Sequence, residues 1–203
     1  MRYKIIIFVI LVMCSFVSFL YANDEIEEEE YKVYSEIIKQ VIEPRGSEYL
    51  VAVESQTKVV PFPWEQRPLR EYLLEKFVAS DENSVTKEML ERFVGRNLKS
   101  YNLEHKFSHD LHISLISREE LRDIFKNNDG GVAGWPEFYK RYPNAEGIGI
   151  ITLSRVAFND DKNIAFVFIL QSYGNVGADA EFSLLKKENG SWMIIKSFFD
   201  WCS

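Results

Sequence analysis

The chain has 203 residues, of which 46% are hydrophobic, 14% aromatic and 27% charged, a balance that excludes a disordered polymer and fits a globular protein. Without residues 1–22, Lys and Arg fall from 24 to 22 against 31 Asp and Glu, a formal charge of −9. No extended basic stripe remains to neutralise phosphates, which excludes nucleic acid as a partner.

In chain order, Ile5 to Ala22 is almost uncharged, follows Arg2 and Lys4, and ends in a small residue before Asn23-Asp24-Glu25. That layout predicts a signal peptide over 1–22, a mature chain starting at Asn23, and a secreted or periplasmic destination. A membrane anchor retained at the N-terminus is the competing reading, because the run approaches the ~20 residues that span a bilayer. A lipoprotein signal on Cys14 is the other, although Leu11-Val12-Met13 offers no small residue before that cysteine. After signal cleavage no remaining segment could span a membrane. Cys202 is then the last cysteine left, so no intramolecular disulfide can form. It reads as an inert thiol near the terminus, with an intermolecular disulfide as the alternative.

Residues 23–203 read as a single α+β domain. An N-terminal helix over 23–43 carries Tyr31, Tyr34, Ile38 and Val41 at helical spacing, and the six carboxylates between Asp24 and Glu30 read as its solvated first turn. Pro44 to Ser47 ends it, and Tyr49 to Val53 is a strand candidate. Pro61, Pro63 and Pro68 make a connector that Phe62 and Trp64 anchor. Leu69 to Val78 and Thr86 to Leu98 both show a helical apolar face. Leu111 to Ile116 alternates as a strand does. Ser117 and Glu120 then form a capping-box pair that opens a helix through Phe125, and Asn127 to Gly131 ends it. Pro136 suits the first turn of a last helix, Pro136 to Tyr142.

Residues 147–203 change character and predict a four-stranded antiparallel meander: Ile148 to Phe158, Ile164 to Tyr173, Ala180 to Lys187 and Trp192 to Phe199. Asn189-Gly190 is the turn signal of a type I′ hairpin. Ile164 to Leu170 is apolar at nearly every position, as a central strand covered on both faces would be. Helices mainly first and a meander last predict a two-layer arrangement. Trp192 should share a face with Ile194, Lys196 and Phe198, pack beside Phe182 and Leu184, and be buried against the helical layer.

Leu153-Ser154-Arg155-Val156-Ala157-Phe158-Asn159, Ile164-Ala165-Phe166-Val167 and the hairpin Gly190-Ser191-Trp192 carry a resemblance. They resemble a group of exported bacterial proteins of unassigned function, which share an LSRVxFN-like strand, an ALVY-like strand and a final Gly-x-Trp hairpin. The match covers the last quarter of the chain, with Trp135 to Tyr139 and Tyr142-Pro143 fitting more loosely. Many of those proteins have paired cysteines where this chain has Tyr173-Gly174-Asn175-Val176-Gly177, so a redox or metal role of that pair does not carry over. The resemblance implies the fold and export, and no activity. The order of helices followed by a sheet is similar to the nuclear-transport-factor-2-like and cystatin-like superfolds, an analogy that leaves function open.

His105, His109 and His112 would share one face of a helix and could offer three imidazoles to zinc. Leu111, Ile113 and Leu115 alternate instead, which puts His112 on a strand and breaks that spacing; no metal site is assigned. Asn127 to Gly131 fails as a calcium loop, since neither register supplies an acid at its first position. No Gly-x-Ser-x-Gly elbow occurs, and Gly147-x-Gly149 lacks the rest of a nucleotide-binding fingerprint. No catalytic residue or cofactor is therefore assigned. Asp179 and Glu181 read as a solvated acid pair. Arg155, read as a strand arginine, is the residue to watch, as an anion holder, as the ion-pair partner of a helix carboxylate, or as a plainly exposed side chain. These readings favour a non-catalytic exported module that binds an unknown protein or small molecule, with a pocket-bearing hydrolase or isomerase as the alternative. A closed pocket lined by Arg155, Asp179 or a histidine would favour the enzyme; a filled core would favour the binding module.

Overall fold

The computed structural model describes residues 25–43, 49–58, 68–78, 85–126, 132–174 and 177–202. The signal-like segment 1–22, the connector residues Pro61, Phe62, Pro63 and Trp64, and the loop Asn127 to Gly131 lie outside them.

Helix α1 (Glu28–Ile42) begins after Glu27, whose amide donates to Glu30 Oε1 at 3.1 Å. Its buried stripe runs through Glu30, Tyr34, Ile37 and Ile38, the 3.6-residue spacing of one helix face. Strand β1 (Val51–Glu54) follows. Helix α2 (Leu69–Leu73) passes directly into a π-helical turn, Leu74–Val78, a local under-winding that apolar periodicity cannot reveal. Thr86 caps α3 (Lys87–Arg96) by accepting from the Met89 amide at 3.2 Å. After β2 (Ile113–Ile116), Ser117 caps α4 (Arg118–Phe125) by accepting from the Glu120 amide. Glu120's carboxylate accepts from the Tyr142 hydroxyl at 2.6 Å, which ties α4 to α5 (Trp135–Arg141). Pro136 lies in the first turn of α5.

The remaining strands are β3 (Ile150–Leu153), β4 (Ala157–Phe158), β5 (Ile164–Tyr173), β6 (Gly177–Glu188) and β7 (Ser191–Cys202). The expected meander is present as β3-β5-β6-β7, but it belongs to a larger mixed sheet of seven strands in the order β2-β1-β3-β5-β6-β7, with β4 on β5. β1 pairs parallel with both β2 and β3. The expected strand Ile148 to Phe158 is two strands with a break at Ser154 to Val156. Gly149 takes φ +78, and a Cβ there would lie 2.0 Å from the Ser172 carbonyl oxygen, so this glycine serves close backbone approach. Asn189 and Gly190 have φ 51 and 87, as a type I′ turn requires.

Helices cover both sheet faces, so the expected two layers are three. Along β5, Ala165, Val167 and Ile169 pack with α1 residues Tyr34 and Ile38, while Phe166 and Phe168 pack with Phe77, Leu90 and Phe93. Successive strand residues point to opposite faces, so these are two separate cores. A third cluster, built on Ala52, Ile150, Ile124 and Phe138, extends the second face under α4 and α5.

The register of β7 corrects a further expectation. Leu185 pairs with Ile194 but Leu184 with Lys196, and Glu181 pairs with Phe199 but Ala180 with Trp201. Ile195 and Asp200 are therefore extra residues, and each bulge flips the faces that follow it. Trp192 and Ile194 face the α1 core, whereas Phe198 joins the opposite cluster with Phe182 and Leu184. Trp192 is buried as expected, against Phe158 at 5.6 Å between ring centroids and with its Nε1 donating to Glu29 Oε1 at 2.8 Å.

Candidate functional site

The break between β3 and β4 is held open by side chains from two helices. Ser154 keeps contact with β5, its amide donating to the Phe168 carbonyl and its Oγ accepting from the Phe168 amide. The Arg155 amide donates to Asn97 Oδ1 at 2.8 Å, and Asn97 Nδ2 donates back to the Arg155 carbonyl at 3.1 Å. Asn97, just past α3, thus takes the place of a neighbouring strand. The Val156 amide donates to Glu30 Oε2 at 2.9 Å. Every amide released by the break is satisfied, as buried backbone requires.

Arg155 lies in this break rather than on a strand, with 2% of its surface exposed, and Glu30 has none. Its Nη2 donates to Glu30 Oε1 at 2.7 Å and its Nε to Oε2 at 2.9 Å, a bidentate pair. Arg96 Nη2 adds a bond to Glu30 Oε1 at 2.6 Å, and the Tyr34 hydroxyl one to Oε2 at 3.3 Å. The Arg155 guanidinium also stacks on Tyr101, 4.3 Å from the ring centroid, and donates to the Glu25 carbonyl. Burial opposes the Arg155 charge, but the Glu30 carboxylate outweighs it and holds the guanidinium pKa above its usual value. Burial and the same carboxylate push the Tyr34 phenol well up. Of the three readings of Arg155, the ion pair to a helix carboxylate is the one present, and plain exposure is overturned: the charge is already neutralised and sealed in.

A cleft of about 510 Å³ opens beside this pair, between α3, the start of α1 and the β4–β5 turn. It falls in the size range of small-molecule sites. Arg92, Gly95 and Arg96 form its α3 wall, Tyr101 and Phe158 supply aromatic surface, and Asp160 and Lys162 come from the turn. Arg92, Gly95 and Arg96 reach it because positions three and four apart lie on one helix face, which flanks the buried Met89, Leu90 and Phe93. Arg92 Nη1 donates to the Phe158 carbonyl at 3.1 Å and its Nη2 pairs with Asp160. Lys162 Nζ pairs with Glu27 at 2.6 Å, and Arg96 Nη1 with the same carboxylate at 3.1 Å. Burial raises the Glu27 pKa, but the hydrogen bonds from Lys162 and Arg96 prevail and hold it below the usual range. Arg96 Nε is enclosed without an acceptor.

Gly95 is exposed in the last turn of α3, and a Cβ built on it would meet nothing within 4 Å. No neighbouring atom requires a glycine there, although glycine within a helix costs about 0.5–1 kcal/mol against alanine. Its effect is to leave the cleft wall open.

The other sequence candidates do not converge. His105, His109 and His112 are all exposed in the segment before β2, while Leu103, Phe107 and Leu111 between them pin that segment to α1. Among the described residues, no group of three or more His, Cys, Asp or Glu is placed to hold a metal ion. Asp179 accepts from the Tyr173 hydroxyl at 2.8 Å and Glu181 from Ser183 Oγ at 2.6 Å, far along β6 from the cleft. Gly147 and Gly149 turn the chain into β3. Cys202 pairs through its backbone with Asp179 at the end of β7. Among the described residues, no helix is long and apolar enough to cross a membrane.

Glu30, the residue that most defines the site, was read from sequence only as part of an acidic run. Its position four before Tyr34 and eight before Ile38, on the apolar stripe of α1, is the signal that separates it from its exposed neighbours. Comparison with family models, with curated proteins and with solved structures found no match to this chain, so function rests on this geometry.

Proposed function

We propose that this chain is an exported, non-catalytic binding module, secreted or periplasmic, of the kind suggested by the last quarter of its sequence, and that the cleft along α3 is its binding site. The observation that carries the reading is Gly95: a helix position left without a side chain where it walls a cleft of about 510 Å³, with no packing reason for it. The aromatic surfaces of Tyr101 and Phe158 and the flanking charges of Arg92 and Lys162 give that cleft both an apolar and a polar component.

The alternative, a hydrolase or isomerase of nuclear-transport-factor-2-like or cystatin-like type, would need a pocket between helix and sheet. Tyr34, Ile38, Val53, Ile151 and Val167 fill the space beneath α1, and the cleft has no histidine or free acid opposite a nucleophile. That packing supports the binding module.

The test uses the purified protein and its Gly95→Trp variant, immobilised to capture ligands from the native exported fraction. The variant should melt within a few degrees of wild type, since the added ring enters open space. A ligand or partner retained by wild type and lost by Gly95→Trp supports the reading. Equal retention by both, or none by either, overturns it.

A further inference from the structure

We infer that the cleft takes a small organic carboxylate, which displaces Asp160 from Arg92. The inference rests on the cleft being the binding site and goes on to name the chemistry it recognises.

Arg92 is held and yet available. Its Nη1 is fixed by the Phe158 carbonyl at 3.1 Å, which orients the guanidinium plane, while its Nη2 meets only the carboxylate of Asp160. Asp160 is 86% exposed at the tip of the β4–β5 turn and Arg92 is 43% exposed. An ion pair in such a setting contributes little, because water solvates both partners nearly as well as they solvate each other. Asp160 thus occupies one arm of the Arg92 guanidinium, Nη2, through a single oxygen, and is easily exchanged. The nearby Glu30–Arg155 pair is the opposite case, buried and fully bonded, and stays in place as the floor.

The occupant shows that this position admits a planar carboxylate. A guanidinium fork matches the two oxygens of a carboxylate or of a phosphate, and here the group already seated is a carboxylate. Around it the cleft gathers Arg92, Arg96 and Lys162 against Glu27 and Asp160, the charge of Arg155 being already met by Glu30. Displacing Asp160 into water leaves a cationic excess on an otherwise acidic protein. The aromatic walls and the gap over Gly95 leave room for the ligand's carbon skeleton.

Glutarate is a suitable probe, with glutaramide as its uncharged counterpart and inorganic phosphate as the competing anion. Backbone NMR shifts of the full protein would be followed during titration at low ionic strength. Glutarate should bind wild type with shifts centred on residues 92–96 and 158–162, and glutaramide should not. Asp160→Asn should bind glutarate about two- to fivefold more tightly, the most that release of an exposed pair can give. Arg92→Gln should bind at least tenfold more weakly, and Gly95→Trp should lose binding. Glu91→Gln, which alters an exposed pair with Arg70 outside the cleft lining, should behave as wild type.

The inference fails if Asp160→Asn binds no more tightly than wild type, if Arg92→Gln binds equally well, if neither wild type nor Asp160→Asn binds glutarate, or if phosphate binds as tightly as glutarate. Loss of a captured ligand in Gly95→Trp without any glutarate binding would sink the carboxylate assignment and leave the cleft as the binding site. Glutarate binding that depends on Arg92, together with equal capture of a partner by wild type and Gly95→Trp, would keep the carboxylate assignment and put the captured partner elsewhere on the protein.

Discussion

Glu30→Gln changes neither the length nor the shape of the side chain at the centre of the α1–sheet contact, yet it should be among the costliest single changes in the protein. Oε1 of Glu30 accepts from Arg155 Nη2, Arg96 Nη2 and the Glu27 amide, and Oε2 from Arg155 Nε, the Val156 amide and the Tyr34 hydroxyl. Whichever way the glutamine amide turns, its NH2 group faces donors, and Arg155 is left charged at 2% exposure without a counterion. Breaking a buried pair by removing one partner costs about 3–5 kcal/mol, a large part of the ~5–15 kcal/mol by which a domain is stable. Equilibrium urea denaturation of both proteins would measure the loss from the midpoint and slope. The double variant Glu30→Gln/Arg155→Met should lose less than the two single variants together, because the second change removes the charge the first one stranded. A Glu30→Gln protein within about 1 kcal/mol of wild type would refute the argument, since it would mean that water reaches Arg155 or that the pair is dispensable.

Trp192→Ala should cost about 3–5 kcal/mol through lost burial and the cavity left beside Phe158 and α1, and thermal or chemical melting would show it. Gly95→Ala should stabilise the protein by about 0.5–1 kcal/mol, because the methyl group enters open space and restricts the unfolded chain; a destabilised variant would contradict the open cleft wall. Burial tends to raise the Glu29 pKa, but hydrogen bonds from Lys187, Lys32 and Trp192 overcome it and hold it at about 2 against a reference of 4.5. A depressed folded-state pKa gives stability that is present above pH 4.5 and lost as pH falls toward 2. The melting temperature should drop across that window, and Lys187→Gln should flatten part of the drop; a wild-type curve already flat there would argue against the pairing.

Some elements were legible because one local rule decided them. Asn189-Gly190 admits few turns other than the one it makes, and the unbroken apolar run of β5 needs cover on both faces. The cap at Ser117 and the proline at the start of α5 acted where they stand in the chain. What was missed depends on residues far apart. Nothing local in Tyr49 to Val53 specifies parallel pairing with a strand at Ile113 to Ile116, and nothing local shows that α2 and α3 are the elements that cross to cover the second face of β5. The bulge at Ile195 answers to β6 rather than to its own neighbours, so alternation counted from Trp192 went wrong beyond Ile194. In the site, Arg155 stands out in the sequence, but whether it pairs, holds an anion or lies exposed does not, because its partner Glu30 is hidden in a run of like charges. The cleft could not be read at all, since its walls come from α3, α1 and a turn that meet only after folding.

The two extra residues of β7 also bear on what this sheet does when molecules crowd together. β7 is 12 residues long and ends the sheet, so one row of its backbone amides and carbonyls faces outward, and Met193 and Ile195 beside it are 44% and 46% exposed. A straight edge of that length and apolar character is a template on which another chain can add strand after strand. Bulges at Ile195 and Asp200 cut the edge into short stretches whose amides no longer point in one direction, with Lys196 set just after the first. Removing Ile195 would restore an even row of donors and acceptors, at the risk of turning a sheet that ends at β7 into one that continues from molecule to molecule.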